Sequence, residues 1–360
     1  MLPYYLLVFF PFCIECVRVS LYSGYNNVVK TKKSNISIVV FFVFWGLMLA
    51  CRSISCGRDL RNYKYFFEII KNLQFSEMLE YFPTEQLYFS LNWIVTRIYP
   101  DFRLLLVITA VLCAGITGWF YKRESEYPLL TILLFITNTC FVMFYSGLRQ
   151  SLAMLFIIPA YYLTKQKRLI PFIVVVLIAK LFHNSAIIML LLYPVFHIQL
   201  LSKDFLGMMF LVALVFVLKV EIFSMVVPFL NDKYARGGVA ETGAYAVWLM
   251  FLLYLIYSFL VLDDSKMNKE CLGLRNVLVI MTLIQSFASI NPLAMRMNYY
   301  FIMLFPIIIP KLMNYPKVGN ENIVQESKWG MVLLFVIYFF IHINSGYTGL
   351  EAFPYVAFWE

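Results

Sequence analysis

Three short stretches in apolar surroundings hold the residues of this chain best suited to chemistry: Leu148-Arg149-Gln150-Ser151, Phe182-His183-Asn184-Ser185, and Arg296 ahead of Asn298-Tyr299-Tyr300-Phe301. An arginine at the centre of a lipid-spanning helix costs ~2.5–3.5 kcal/mol on insertion scales, so one kept between apolar flanks faces a cavity or a partner. Arg149 opens an apolar run, where the unpaired N–H groups of a helix start add to its affinity for phosphate. The bland alternative is snorkelling to outer headgroups. Arg296, one turn after Asn291-Pro292, repeats that placement. A lone histidine is most often a packing residue, and His197 and His342 are read so; His183 shares its predicted leaflet with Arg149, which favours a role.

A second group of charges lies between the apolar runs. Arg52 is followed by Gly57-Arg58-Asp59-Leu60-Arg61-Asn62-Tyr63, with helical spacing through Tyr65, Phe66 and Ile69. That pattern predicts an amphipathic helix lying on the bilayer. Functionally, Arg58 or Arg61 would hold a phosphate and Asp59 would orient an arginine or take a proton. Glu85-Gln86 begins another amphipathic stretch; Glu85 is a possible general base, although a solvated carboxylate at a helix start is the commoner case. Arg236 belongs to the basic patch Lys233-Tyr234-Ala235-Arg236-Gly237-Gly238, whose glycine pair is too weak a signal for a phosphate loop. No Asp-x-Asp occurs and Asp263-Asp264 falls on the opposite side, so neither a metal nor another cofactor is expected. Seven cysteines show no zinc-like spacing; a Cys51–Cys56 bridge across a turn would require an oxidising compartment and is the less favoured reading.

The elements that must position these residues follow from composition. In 360 residues, 62% are hydrophobic, 18% aromatic and 14% charged, and the mean hydropathy is +0.78. That excludes a soluble enzyme and a Gly/Asn-rich outer-membrane barrel. Twelve apolar runs predict an all-α, polytopic transmembrane bundle of about twelve spans (10 to 14), forming one integral membrane domain over 1–360. The first run, Leu2 to Val17, reads as a retained span. The 37 residues of Tyr127 to Leu163 would make a helix of ~55 Å against a ~30 Å core, so a fold-back is expected at Ser146 to Gln150. Leu169 to Gln199 would divide at His183-Asn184.

Lysine and arginine then set the orientation. Placing Lys30-Thr31-Lys32-Lys33 in the cytosol puts 16 of the 29 basic residues inside and 13 outside, and seven of those 13 lie in the long Arg52 to Arg103 segment, which the positive-inside rule weights less. Segments 52–101 and 219–243 are thus outer loops, the first carrying amphipathic helices, and 311–328 is cytoplasmic. Of 12 arginines, eight fall outside, whereas 12 of 17 lysines fall inside. Topology explains the lysines. It does not explain outer arginine, the side chain suited to bidentate binding of phosphate and carboxylate. An anionic ligand at the outer face is expected, with membrane lipid as a partner and no nucleic acid.

The ordered set Arg52 with Gly57-x-Asp59-x3-Tyr63, Leu148-Arg149-Gln150-Ser151-Leu152-Ala153, Phe182-His183-Asn184-Ser185-Ala186 and Arg296-x2-Tyr299-Tyr300-Phe301 resembles the EpsG-like family, which contains Wzy-type polysaccharide polymerases of bacterial inner membranes. The pattern departs at Glu85-Gln86, where a small or Gly/Pro-containing turn would follow the glutamate. The resemblance implies a GT-C-like helical bundle and a periplasmic active site. There a growing glycan on undecaprenyl diphosphate would pass to a sugar hydroxyl of the next lipid-linked repeat unit, in O-antigen synthesis, with a chain-length-regulating protein as a partner. It places Arg149, Arg296, Asp59 and His183 at the chemistry, the arginines on the departing diphosphate and one of the other two as base. Arg52, Arg58, Arg61, Glu85, Gln150, Arg236, Tyr299 and Tyr300 would bind diphosphate or glycan. A lipid-linked oligosaccharide flippase would need cations deep within several helices; a membrane acyltransferase would not need so many outer arginines.

Overall fold

In lipid a backbone must satisfy its own hydrogen bonds, and apolar runs with few helix breakers do so as α-helices. The computed structural model describes residues 1–23, 35–226, 245–345 and 350–360. Among them there is no strand, only isolated bridges at Arg52–Ala357 and Leu262–Pro316. The helices run α1 (Leu2–Ser23), α2 (Ile36–Cys51), α3 (Leu60–Lys71), α4 (Phe75–Tyr81), α5 (Gln86–Ile98), α6 (Phe102–Glu124), α7 (Pro128–Ile136), α8 (Thr139–Ser146), α9 (Leu148–Met154), α10 (Ile157–Lys165) and α11 (Leu169–Phe182). After a 3₁₀ segment at Asn184–Leu191 come α12 (Leu192–His197), α13 (Phe205–Val217), α14 (Lys219–Val226), α15 (Tyr245–Leu260), α16 (Lys269–Ala288), α17 (Pro292–Ile302), α18 (Phe305–Leu312) and α19 (Glu321–Asn344).

Three of these, α6, α16 and α19, are long and apolar enough to cross a membrane, and up to five spans result if each of two bent helix pairs is one. One pair is α7 with α8, bent by 59°, and the other runs from Asn184 to Val217, bent by 115°. Shorter apolar helices such as α2, with 16 residues, reach only about 24 Å against a ~30 Å core. The chain is thus a helical membrane protein with three to five candidate spans.

The described residues fall into two compact units, a first of Met1–Ile158, Leu177–Ala186 and Lys328–Glu360 and a second of Pro159–Val176 and Ile187–Ser327. The first is built on α2 against α6. Their backbones approach closely where Gly46 faces Ala114 and Gly118 faces Phe42, each leaving only 2.8 Å for an added Cβ. Around that seam Phe42, Trp45, Tyr121, Phe135, Phe141 and Phe144 interlock, mostly edge to face. The second unit is organised on α16. Asn298 of α17 donates to the Met281 carbonyl and to Gln285 Oε1, both at 2.9 Å. Asn276 donates to the carbonyls of Val195 and Ile198.

Several expectations need correction. The helix predicted after Gly57 forms as α3, but it buries Leu60, Tyr63, Phe67 and Ile70 within the protein and leaves Tyr65 exposed. Tyr63 packs on Tyr88 of α5 and Phe67 on Phe102, so the face that carries them is buried within the protein, while Phe66 and Ile69 are half-buried. Cys51 and Cys56 are free thiols; Cys56 Sγ instead donates to the Ala352 carbonyl at 3.5 Å. At the expected fold-back the helix breaks at Gly147, and a further break falls between α7 and α8. The expected division at His183-Asn184 is present: α11 ends at Phe182 and the chain continues from Asn184 to Leu191 as a 3₁₀ helix.

Candidate functional site

Glu85 precedes α5 in a left-handed conformation, φ 57° and ψ 36°, which a non-glycine residue adopts at a cost of ~1–3 kcal/mol. Its side chain does not cap its own helix. It turns inward instead and is only 6% exposed. One carboxylate oxygen, Oε2, accepts from Arg149 Nη1 at 2.5 Å. The other, Oε1, meets His183 Nδ1 at 2.5 Å and accepts the Asn184 backbone N–H at 3.1 Å. Residues 64 and 98 positions apart are thereby joined on one carboxylate.

Burial pushes the Glu85 carboxyl up. The hydrogen bond from His183, the attraction of His183 and Arg149 and the Asn184 N–H outweigh it and hold the group at about 2. Glu85 is therefore ionised at neutral pH and can only accept. His183 Nδ1 must then be the donor, so the geometry selects the tautomer that carries its proton on Nδ1 and, when uncharged, its lone pair on Nε2. The arginine is held equally firmly. Its guanidinium lies 5.4 Å from the Tyr63 ring centroid and 6.0 Å from that of Phe89. With Nη1 on Glu85, its buried Nε has no hydrogen-bond partner.

The floor of this arrangement is the Gly57 to Tyr63 stretch. Gly57 has φ +143°, and a Cβ there would stand 2.2 Å from the Tyr145 carbonyl oxygen, so only glycine fits. Two residues on, the Asp59 N–H donates to Ser146 Oγ at 3.1 Å. The turn is thus fixed against the end of α8, just ahead of Arg149, and Tyr63 rises from it one turn along α3. Residues 350–360 brace the turn from behind: the Ser53 N–H donates to the Val356 carbonyl at 2.8 Å, the Arg58 N–H to that of Leu350 at 2.9 Å, and the Phe358 N–H to that of Cys51 at 2.9 Å.

The first unit thus gathers Glu85, Arg149 and His183, with Asp59 and the Arg52 turn alongside. Arg52 is buried, with Nη1 on the Leu49 carbonyl and Nε unpartnered. Asp59 is half-buried, Gln150 is buried, and Arg58 and Arg61 are exposed. Arg296 (half-buried), Tyr299 and Tyr300 (both buried) belong to α17 of the second unit. Arg236 lies outside the described residues.

The solvated reading of Glu85 is overturned: its carboxylate is the buried centre of the cluster. Sequence reasoning missed this because an acidic residue ahead of a helix matches the usual cap, and the left-handed backbone that re-aims it leaves no local signature. The Asn184 backbone donor was missed as well. A helix broken immediately after His183 was the one available signal.

Chemically, one fixed carboxylate orients both an imidazole that can accept a proton and a guanidinium that can stabilise an anion. No group of three or more His, Cys, Asp or Glu residues suited to a metal occurs among the described residues. A family model described as the EpsG family matches residues 35–357, most of the chain. No curated protein and no solved structure matches it.

Proposed function

This chain belongs to the EpsG family, whose members are polysaccharide-polymerase-type membrane proteins, and from that premise we propose that it is a Wzy-type glycosyltransferase. In this reading it works in the bacterial inner membrane as a GT-C-like bundle of about twelve spans with its site facing the periplasm, and O-antigen repeat units are its substrate. The observation that carries the reading is the Glu85 carboxylate holding Arg149 and His183 together at 2.5 Å.

The donor is a glycan on undecaprenyl diphosphate, and the acceptor is a sugar hydroxyl of the next lipid-linked unit. The acceptor oxygen forms a bond to the donor's anomeric carbon. The bond from that carbon to the diphosphate breaks, and its electron pair leaves with the lipid diphosphate. His183 Nε2 takes the hydroxyl proton, since Glu85 fixes the tautomer that leaves this nitrogen basic and stabilises the imidazolium that forms. Asp59 supports the arginines beside it. Arg149 meets the growing charge on the diphosphate, the contact contributing about 1.5–3 kcal/mol, and Arg296 of the second unit is a further anion-binding arginine by the family resemblance. Arg52, Arg58, Arg61, Gln150, Arg236, Tyr299 and Tyr300 bind headgroup or sugars. Arginine in excess on the predicted outer side supports the periplasmic assignment, and a chain-length-regulating protein is the partner such a polymerase would take.

The test is polymerisation in vitro from one defined lipid-linked repeat unit. Wild type should yield a ladder of chain lengths. Arg149→Ala and Arg296→Ala should each abolish long chains while the protein still inserts, and His183→Ala should lose ladder formation with lipid binding retained. Wild-type chain length in a well-expressed arginine variant would overturn the anion assignment, and full activity of His183→Ala would remove it as the base. In a deletion strain the polymerase reading requires lipid capped with a single unit; trapped inner-leaflet intermediates would indicate a flippase, and full-length glycan lacking acyl groups an acyltransferase.

A further inference from the structure

The second unit holds a charged cavity that the polymerase chemistry does not use. It encloses about 200 Å³ and is walled by Lys165, Lys167, His197, Gln199, Lys269 and Glu270, with apolar side chains completing it. The carboxylate on its wall is already engaged. Glu270 Oε1 accepts from the Tyr161 hydroxyl at 2.6 Å and from Lys311 Nζ at 2.5 Å, and Oε2 lies 2.7 Å from Lys165 Nζ. Two ammonium groups thus more than neutralise it, and Lys167 and Lys269 have no ion pair among the described residues.

Both of those lysines stand where local preference runs against them. Lys167 follows α10 with φ 57°, the left-handed position beyond a helix end that glycine or asparagine usually fills. Around it the Lys167 N–H donates to the Thr164 carbonyl and the Arg168 N–H to that of Leu163, both at 2.9 Å, so this conformation is built into the turn. Lys269 is the first residue of α16, the end of a helix at which positive charge is unfavourable. The positive-inside bias accounts for an excess of lysine at this end of the unit, but any loop position would satisfy it. It does not account for lysine at a left-handed residue and at a helix start on the walls of one cavity.

We propose that this cavity binds the phosphate group of an anionic molecule, with Lys167 and Lys269 as its ligands and Lys165 held in place beside them by Glu270. Basic cavities at the cytosolic ends of membrane helices suit the headgroups of anionic lipids, and free phosphate shares the chemistry. The proposal does not depend on the polymerase reading.

The purified full-length protein in neutral detergent tests it. Its thermal midpoint is followed as dioleoylphosphatidylglycerol is added, against dioleoylphosphatidylcholine, and as inorganic phosphate is added, against chloride at equal ionic strength. Wild type should be stabilised by the anionic lipid if the phosphate is a headgroup's, and by inorganic phosphate as well if it is a soluble one. The double variant Lys167→Gly, Lys269→Gln should bind roughly thirtyfold more weakly, about fivefold per lysine. Glycine accepts the left-handed conformation without strain, so this variant should unfold no earlier than wild type when nothing is added. Lys203→Gln with Lys266→Gln, which removes two lysines elsewhere in the unit, should keep the wild-type shift. No stabilisation by either anion, a shift that survives in the Lys167/Lys269 variant, or equal loss in the Lys203/Lys266 control would each overturn the proposal.

Discussion

A carboxyl group only 6% exposed would ordinarily give up its charge, because burial favours the neutral acid. Glu85 keeps it through three donors on two oxygens, and two of them, Arg149 and His183, are the residues to which the proposed reaction assigns anion binding and proton transfer. Removing the carboxylate therefore acts on stability and chemistry together. The gap between an ordinary 4.5 and about 2 corresponds to about 3 kcal/mol at neutral pH. Because the folded-state value is the lower one, this stabilisation is complete above about pH 4.5 and is lost as pH falls toward 2. Glu85→Gln should thus be about 3 kcal/mol less stable than wild type at pH 7, and the difference should shrink steadily below pH 4.5, as followed by unfolding in detergent. A constant difference from pH 7 to pH 3 would mean that the carboxylate is not held by Arg149 and His183. Polymerisation by Glu85→Gln should also fall, because a neutral amide can present its oxygen or its NH₂ to Nδ1 and no longer dictates one tautomer.

At the scale of the element, the individual helices were the legible part. Alternation of apolar and charged residues from Leu60 to Ile70 announces α3, and Phe102 to Tyr121 announces α6, since helical period and length are local properties. The face of α3 that is buried was not legible, because it depends on Tyr88 and Phe102 arriving from later segments. For the same reason the meeting of Arg149 and His183 on Glu85 was not legible, because it joins residues 64 and 98 positions apart. The turn at Gly57 is where an element boundary becomes part of the site. Gly57→Ala forces a Cβ to 2.2 Å from the Tyr145 carbonyl oxygen at φ +143°, a backbone clash that no rotamer relieves. It should destabilise by about 2–4 kcal/mol and shorten the product, because Tyr63 moves away from Arg149 and the Asp59 N–H from Ser146. Gly115→Ala in α6, with nothing within 4 Å of its added Cβ, should be neutral or slightly stabilising in the same unfolding and chain-length assays. Equal behaviour of the two variants would show that the turn tolerates displacement.

At the scale of the whole molecule, the first unit is closed by contacts between segments remote in sequence. The Tyr4 hydroxyl donates to the Ala352 carbonyl, 348 residues away, and the Tyr355 hydroxyl to that of Met48 at 3.0 Å. With the backbone bonds at Ser53, Arg58 and Phe358, residues 350–360 hold both sides of the turn that carries Arg52 and Asp59. Arg103 completes the brace, its Nη1 on the Arg52 carbonyl at 2.6 Å and its guanidinium 4.3 Å from the Phe358 ring centroid. None of this is written in the composition of the segment, which reads as a short aromatic stretch after the last apolar helix. It follows that removing residues 350–360 should leave the membrane helices inserted but destabilise the first unit by about 3–5 kcal/mol, at ~1 kcal/mol for each hydrogen bond lost. Buried Arg52 would gain access to water, and long chains should disappear from the product ladder. Tyr355→Phe, which loses only the bond to Met48, should cost ~1 kcal/mol and keep the ladder. Wild-type chain lengths from the truncated protein would mean that the Arg52 turn holds its position against α8 without the brace.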